Sequence, residues 1–441
     1  MLAAVGPSRF VLFLCGQLGL NTIVRFFYQW IVDFTERGDP TALDPANAAA
    51  FTAAAAGVVI LGFRIFDAIS DPIAGTVSDR WVQRGHERRS LLWFSLLVPA
   101  VGLALVFAPT PEMAVGLRWA LLCAGLLLFY VGYTFYAIPY WSLVDDYSQG
   151  DEDTRRGLSN MLGVGLLLAS AVISLVSPGV VESRGYLTAA LIFGIPCAAL
   201  MVLPYYARPP GALRAATGVS AAGDSSLFSG FADAFRHKRF IATLAVFSGA
   251  QMAFTIMTSA APFIATDLLG GTRGDVPMLL GPFLLTSLLS MSVVPRVTKR
   301  YGIVRVISSS AIALALVYTG TATLGMSIVG SPLITAAILF ALGGPMAAIF
   351  LSLEAEAVAA CAAECDEQVT SVYFGVFNFV VKGFNALAMF TTSVLATLSS
   401  GELGVLAVRS MGLSAGGVLV LGTLGYYMLP PVLARLRPGM R

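Results

Sequence analysis

Residues 63–80 read FRIFDAISDPIAGTVSDR and place charged side chains inside a strongly apolar part of the chain. Arg64, Asp67 and Asp71 follow one another at spacings of three and four residues. In a helix these spacings bring the side chains to one face, with neighbours about 5–6 Å apart. A charge at the centre of a bilayer costs roughly 2.5–3.5 kcal/mol on the translocon scale, so it normally faces a cavity or a partner. The stretch therefore predicts a membrane-spanning helix whose two carboxylates form a cation site.

The whole chain has the composition of a helical membrane protein with many spans. Of its 441 residues, 57% are hydrophobic and only 12% are charged, whereas a soluble domain carries about 25% charged residues. The apolar residues recur in stretches long enough to form spanning helices, each of which needs about 20 residues. We therefore predict an all-α membrane protein with twelve spans, at residues 9–32, 48–77, 90–108, 118–145, 158–180, 185–206, 240–265, 276–296, 303–325, 331–360, 368–396 and 408–434.

The basic residues are distributed unevenly between the segments that connect these spans. If both termini are cytoplasmic, most of the Lys and Arg residues fall in inner segments, and the outer segments hold only Arg37, Arg118, Arg184, Arg273 and Arg409. Cytoplasmic loops of membrane proteins carry such an excess of positive charge. We therefore expect an integral, multi-pass protein of a bacterial cytoplasmic (inner) membrane, with both termini in the cytoplasm.

The longest polar interruption divides the chain into two halves. Residues 207–238 are rich in Gly, Ser, Pro and charge, and we interpret them as a cytoplasmic linker between six-helix bundles at residues 1–206 and 239–441. Within this linker, residues 228–240 either form an amphipathic helix on the inner membrane surface or serve as a simple tether. Two bundles joined in this way are typical of transporters that bind substrate near the bilayer midplane.

A single lysine stands out in the eleventh predicted span. Lys382 is the only charged residue within residues 368–396, and an unpaired ammonium group at that depth is costly. We expect it to neutralise an acid of the other bundle, with Asp67 or Asp71 as the natural partner. The alternative is a fixed structural ion pair that takes no part in coupling.

A charged segment follows the second predicted span. An acid beside a basic cluster at a helix end either forms a latch that breaks during a conformational change or anchors the loop on the cytoplasmic side. The segment resembles the signature between spans two and three of the major facilitator superfamily. As candidate gating residues we take Asp79, Arg80, Arg84, Arg88 and Arg89.

Three sequence blocks resemble a narrower family within that superfamily. DAISDP at 67–72, YTFYAIPYWSLV at 133–144 and SVYFGVFNFVVKG at 371–383 are similar to the glycoside–pentoside–hexuronide:cation symporters, the melibiose-permease group. The resemblance implies a major facilitator fold of two six-helix bundles. It also implies that Asp67 and Asp71 bind the coupling cation and that Lys382 lies near that cation.

The same resemblance implies a substrate site that departs from the family's pattern. Trp141, Tyr133 and Thr134 match family residues near the sugar, whereas Ala137 stands where the sugar-binding acid of span four is expected. The span-one acid is replaced near Asn21 or Gln17. We therefore expect a cargo other than the family's usual sugar.

The first span offers other polar groups for such a cargo. Asn21, Arg25 and Gln29 recur every four residues, and Arg25 either receives an anionic group of the substrate or pairs with an acid such as Asp33. In the second half the candidate cavity residues are Gln251, Asn378 and Asn385, with Glu354 and Glu356 in span ten, and these polar residues either line the cavity or form interhelical hydrogen bonds. The full predicted substrate set is Asn21, Arg25, Gln29, Tyr133, Thr134, Trp141 and Asn378.

The chain shows no pattern typical of an enzyme. Neither of the two histidines has a ligand-like neighbour in the sequence, and no nucleophile–base arrangement is recognisable. We expect no metal centre and no cofactor beyond a coupling ion, H⁺ or Na⁺. The expected partners are a small-molecule substrate and the lipid bilayer, without nucleic acid, and we expect a monomer.

These observations predict a secondary active transporter that carries a small organic solute together with a cation by alternating access. In it, Lys382 and Arg64 are the predicted coupling or ion-pairing residues. One alternative is a carrier of an amphipathic cargo such as a lysophospholipid, in which the span-two acid and Lys382 are kept. A second alternative, from another class, is a membrane receptor that has lost transport.

Overall fold

Long helices make up nearly all of the described chain. The computed structural model describes residues 7–42, 49–149, 151–208, 234–326, 331–363, 370–401 and 403–436. We number its helices α1 Pro7–Arg37, α2 Ala53–Gln83, α3 Leu92–Ser95, α4 Val98–Val106, α5 Val115–Ser148, α6 Glu152–Arg184, α7 Tyr186–Leu200, α8 Lys238–Phe263, α9 Val276–Met291, α10 Val294–Tyr301, α11 Ile303–Gly320, α12 Pro332–Ala363, α13 Thr370–Ser399 and α14 Val405–Leu436.

Twelve helical segments of the described residues are long and apolar enough to cross a membrane. This confirms the predicted all-α architecture with twelve spans. The third span is not one continuous helix, because a 3₁₀ turn at Arg88–Leu91 and the short helix α3 precede α4. The predicted linker falls mostly at residues 209–233, which lie outside the described part of the chain. Of segment 228–240, residues 228–233 also lie outside it, and residues 238–240 form the start of α8.

The chain folds into two compact units, Met1–Val219 and Ser220–Arg441. In the first unit α1 packs against α6 and α7, and α5 packs against both α2 and α4. In the second unit α14 packs against α8 and α11, α9 packs against α12, and α13 packs against α8. The integral membrane character of the chain follows from these twelve apolar helices.

Glycines allow α4 and α5 to approach at backbone distance. A Cβ atom at Gly102 would overlap the backbone nitrogen of Phe129, and one at Gly125 would lie 2.7 Å from the nitrogen of Val106. Real Cβ atoms do not tolerate such contacts. Small residues at helix interfaces are the usual means of close packing in membranes, because van der Waals contact replaces the hydrophobic drive there.

Three buried aromatic side chains of the first unit have a hydrogen-bond partner for their polar ends. The hydroxyl of Tyr136 donates to the Met201 carbonyl at 2.7 Å, that of Tyr140 donates to the Phe13 carbonyl at 2.6 Å, and the Trp30 indole donates to Ser177 at 2.8 Å. A buried Tyr or Trp normally finds such a partner. Tyr136 and Tyr140, from the YTFYAIPYW segment, are therefore packing residues that fix α5 against its neighbours.

Candidate cation and substrate site

The predicted cation residues lie together on the buried face of α2. The helix begins after Thr52, whose hydroxyl accepts a hydrogen bond from the Ala55 amide, a standard N-cap. Asp67 is completely buried and Ser70 nearly so. This face of α2 packs on α5, which supplies the fully buried Thr134.

The counter-charge of Asp67 in the first unit comes from its own helix. Arg64 Nη1 lies 2.7 Å from Asp67 Oδ2, and both side chains are buried. The Arg64 guanidinium also lies 5.2 Å from the ring centre of Tyr28 and 5.6 Å from that of Tyr130. Aromatic faces attract a cation in this range, so ion pairing and two rings together hold the Arg64 charge in the apolar interior.

Thr134 lies between the two carboxylates. Its Oγ1 is 2.7 Å from Asp67 Oδ1 and 3.3 Å from Asp71 Oδ1, and the Ser70 hydroxyl lies 3.4 Å away from it. A hydroxyl has one proton, so Thr134 donates to one carboxylate at a time and keeps acceptor capacity. Carboxylate and hydroxyl oxygens are the ligands that hard cations prefer, and these groups would suit a small monovalent cation or a proton.

No transition-metal site accompanies this cluster. Within the residues that the structure describes, no three or more His, Cys, Asp or Glu side chains are grouped so that they could hold a metal ion. The donor set around Thr134 is made of oxygen atoms only, which is poor chemistry for zinc or copper.

Arg25 lies on α1 in the same unit and remains partly exposed. Its electrostatic neighbours are Tyr28 and Tyr133, and among the described residues it forms no ion pair. The alternative partner Asp33 instead contacts Arg37 at 3.4 Å and accepts a hydrogen bond from the Tyr186 hydroxyl. Arg25 therefore has the charge and the donors to receive an anionic group.

Gln17 organises two of the other predicted substrate residues. Its Oε1 accepts from the Trp141 indole at 3.1 Å, and its backbone carbonyl accepts from the Asn21 amide at 3.0 Å. The Tyr133 ring meets Trp141 edge to face, with centroids 6.3 Å apart. These contacts orient the Trp141 ring. From the sequence, Gln17 is predicted only as a replacement for a missing acid, because its contact with Trp141 depends on how the helices pack.

Gln29 is the most enclosed of the predicted substrate residues in α1. Its side chain is buried, Oε1 accepts a weak hydrogen bond from Ser174 at 3.4 Å, and Nε2 has no hydrogen-bond partner in the described part of the chain. A buried amide with an unused donor is unusual. Its enclosure favours a packing role over direct contact with a solute.

Some of the predicted gating residues form ion pairs, and the others are exposed. Arg88 Nη1 lies 2.9 Å from Asp79 Oδ1, and Arg88 Nε lies 3.2 Å from Asp146 Oδ2, so Arg88 joins the ends of α2 and α5. Arg89 contacts Glu87 and the Tyr205 carbonyl. The remaining two residues, Arg80 and Arg84, are exposed.

The second unit carries the remaining predicted residues. Lys382 is buried on α13, whereas Asn378, one turn before it, is exposed. On the same helix Asn385 Oδ1 accepts from the Thr255 hydroxyl at 2.8 Å. The expected pairing of Lys382 with Asp67 or Asp71 would join the two units and stays a prediction.

Twelve apolar helices in two units, with a buried charged cluster in the first, define a multi-pass transport protein of the major facilitator type. The sequence profile of the family described as MFS/sugar transport protein matches residues 13–433. The chain therefore belongs to the MFS/sugar transport protein family. This finding does not separate the narrower glycoside–pentoside–hexuronide:cation group from the rest of the family.

The individual proteins that are similar to this chain are named as transporters or as a symporter. A protein of Bacillus subtilis (strain 168) named uncharacterized symporter YjmB is 31% identical over 131 residues, which are 29% of this chain and 28% of that protein's length. The nucleoside transporter NupG superimposes with a TM-score of 0.61 at 16% identity, covering 94% of this chain and 98% of that one. A bacterial homolog to the human lysosomal transporter Spinster gives 0.64 at 13% identity, with 98% of both chains covered. At such identities the structures share the fold alone.

Proposed function

We propose that this transporter is a cation-coupled symporter of a small organic solute. The observation that carries the proposal is the buried arrangement of Asp67, Asp71 and Thr134, which gathers two carboxylates around one hydroxyl. Carboxylates are expensive to bury in a membrane protein and are normally retained for ion pathways. Support also comes from the resemblance of residues 67–72 to the symporter family and from the name of the Bacillus subtilis relative.

The ion assigned to this site is Na⁺, Li⁺ or H⁺. Arg64 contacts one oxygen of Asp67, and the candidate ligands of the ion are the other Asp67 oxygen, the Asp71 carboxylate and the Thr134 hydroxyl. We assign Lys382 as the coupling residue of the second unit. Symport requires that cation and solute bind more tightly together than alone, and this coupling is reciprocal.

The solute that fits the first unit best bears an anionic or strongly hydrogen-bonding group. Arg25 provides a guanidinium that forms no ion pair within the described residues, and Trp141 provides an aromatic face whose orientation Gln17 fixes. A bidentate contact from an arginine suits a carboxylate or a phosphate. A sugar acid carries both the anionic group and a ring that stacks on an indole.

The cation role is tested first by thermal unfolding of the purified protein in NaCl, LiCl and choline chloride at several pH values. A ligand at one hundred times its Kd stabilises the folded state by about 2.7 kcal/mol. We expect Na⁺ or Li⁺ to raise the unfolding temperature of the wild type and Asp71→Asn to abolish this response, whereas a stabilisation by acid should become smaller in Asp71→Asn without disappearing. Glu112→Gln, at an exposed acid outside the spans, is the matched control.

The transport role is tested with proteoliposomes. Small glycosides, sugar acids, nucleosides and lysophospholipids are first screened for thermal stabilisation, and each hit is tested for uptake with and without a cation gradient. Uptake that depends on the gradient and is lost in Asp71→Asn supports the proposal. Equal uptake by the wild type and Asp71→Asn contradicts the cation role, and stabilisation by lysophospholipids alone favours the amphipathic cargo.

A further inference from the structure

A second polar cluster lies in the membrane interior of the second unit. Glu354 on α12 faces Gln251 on α8, and Gln251 Nε2 donates to Glu354 Oε2 at 2.7 Å. One helical turn further along α8, the Thr255 hydroxyl contacts Asn385. Gln251 is thirteen residues after Lys238, the first residue of α8, which corresponds to about 20 Å along the helix axis. The cluster is thus deep within its span.

The Glu354 carboxylate has a neutral partner only. Within the described residues no basic side chain lies within ion-pair distance of it, and its one electrostatic or hydrogen-bonding neighbour is Gln251. Helix α9, which packs against α12, carries no charged side chain. The other helices that pack against α12 are α8, α10, α11 and α13. Together with α12 itself, they carry these charged or titratable residues besides Glu354: Lys238, Arg239, Arg296, Lys299, Arg300, Tyr301, Arg305, Tyr318, Glu356, Cys361, Tyr373 and Lys382.

An amide is a suitable partner for an acid that changes its protonation state. Gln251 donates through its NH₂ group to a carboxylate oxygen or to the carbonyl oxygen of the neutral acid, and its own carbonyl can accept from the acid hydroxyl. A basic partner, by contrast, would hold the acid in its charged form through direct charge pairing. Glu354 is also only half-buried, so its side chain is not fully enclosed by the second unit.

We propose that Glu354 is a proton-binding site of the second unit, with Gln251 as its positioning residue. The step is a simple equilibrium in which the carboxylate takes up one proton from water and later returns it. This site is separate from the Asp67–Asp71 cluster of the first unit. It therefore gives the transporter a proton-dependent step whichever ion binds at Asp71.

Infrared difference spectroscopy with stepwise changes of pH tests this site without any substrate. The full-length protein is reconstituted in lipid nanodiscs, and the carbonyl stretch of protonated carboxylic acids is followed. Glu354→Gln keeps a side chain of the same shape that can still accept from Gln251. We expect the wild type to show a titrating carboxylic acid band that Glu354→Gln lacks.

Two control variants make the assignment specific. Glu356→Gln removes an exposed acid two residues away on the same helix, and we expect it to retain the band. Asp71→Asn must also retain it, so that a failure of the proposed cation site is distinguishable from a failure of this one. A Glu354→Gln spectrum identical to that of the wild type overturns the proposal.

A second variant covers the case in which Glu354→Gln does not fold. Gln251→Met keeps the carboxyl group and removes its hydrogen-bond donor. Because hydrogen bonding to a carbonyl lowers its stretching frequency, we expect the acid band to move to higher frequency in Gln251→Met. A band at the wild-type frequency in this variant contradicts the assignment to Glu354.

Discussion

Arg64 is the residue that allows Asp67 to stay buried among the apolar side chains of α2. Its guanidinium meets the carboxylate at 2.7 Å and lies against the rings of Tyr28 and Tyr130. The partner of Asp67 within the first unit is thus three residues away in sequence. The interaction is local to one helix, and its environment is completed by Tyr28 of α1 and Tyr130 of α5.

Removal of Arg64 alone should destabilise the protein strongly. Arg64→Met leaves the Asp67 carboxylate buried without this counter-charge, and breaking a buried ion pair from one side costs about 3–5 kcal/mol. The double variant Arg64→Met/Asp67→Asn removes both charges, and we expect it to recover most of that loss. Denaturant unfolding in mixed micelles measures the free energy of unfolding of each.

The control for this prediction is Arg84→Met, at an exposed arginine on the C-terminal side of the same helix. A surface substitution of this kind changes stability by about 0.5 kcal/mol or less. If Arg64→Met and the double variant were equally stable, Arg64 would not be the neutralising partner of Asp67.

At the cation cluster, helical periodicity placed Arg64, Asp67 and Asp71 on one face, and the structure has them there. The same reasoning could not find Thr134 as the hydroxyl between the carboxylates, because that contact depends on how α5 packs against α2. Thr134 entered the predicted substrate set through family resemblance alone. The sequence did not indicate that Tyr28, Tyr130 and Ser70 belong to this cluster, because aromatic and small residues in an apolar span usually serve packing.

At the scale of elements, the packing of α4 against α5 depends on glycine. The backbone nitrogen of Phe129 occupies the space that a side chain at Gly102 would need. Backbone atoms cannot move aside as a flexible side chain can. The two helices must therefore separate to accept even a methyl group.

Gly102→Ala should consequently lower stability although alanine is the better helix former. Overpacking costs about 1–3 kcal/mol, which exceeds the roughly 1 kcal/mol that alanine gains over glycine in a helix. Gly116→Ala is the matched control on α5, because a Cβ atom there meets nothing within 4 Å. Thermal unfolding should give a lower midpoint for Gly102→Ala and an unchanged or higher one for Gly116→Ala. A Gly102→Ala midpoint at or above that of the wild type would refute the close contact.

The number of spans was predictable because each one is an apolar stretch of sufficient length. The ends of the spans were less predictable. The first span was predicted at residues 9–32, whereas the helix runs from Pro7 to Arg37. Hydropathy reports where the chain is apolar, but helical hydrogen bonding continues through the polar residues Asp33 to Arg37. The break between α3 and α4 was missed for a related reason, since the residues around it are as apolar as the helices themselves.

At the scale of the whole molecule, the charge distribution predicts one orientation in the membrane. The segment with Arg84 to Arg89 should face the cytoplasm, and the segment between α4 and α5, with Glu112, should face outward. Both Arg84 and Glu112 are exposed. Single cysteines at these two positions therefore report opposite sides.

We expect a membrane-impermeant maleimide to label Glu112→Cys in intact cells and to leave Arg84→Cys unlabelled until the cells are permeabilised. The native cysteines are first replaced by serine. Labelling of Arg84→Cys alone in intact cells would mean that the chain is inserted the other way round. Equal labelling of both before permeabilisation would contradict the twelve-span arrangement.

Sequence patterns carried less information about contacts between distant parts of the chain. Lys382 and Asp67 are separated by more than three hundred residues, and hydropathy counts spans without saying which of them are neighbours. The pairing of Gln251 with Glu354 illustrates the same limit within one unit. Both residues were candidate cavity residues, but their contact depends on the packing of α8 against α12.

The local counter-charge of Asp67 also has an electrical consequence. With both carboxylates ionised, the three side chains of Arg64, Asp67 and Asp71 by themselves contribute one positive and two negative charges, a net charge of −1 that a Na⁺ ion bound as proposed would bring to zero. A membrane voltage then acts on the empty cluster rather than on the loaded one, by up to about 2.3 kcal/mol per 100 mV for a full crossing of the field. An interior-negative voltage pushes the empty, negative cluster outward. In the proposed Na⁺-coupled cycle, the return of the unloaded carrier would then be the step that draws on stored electrical energy, and it would favour accumulation of the solute inside.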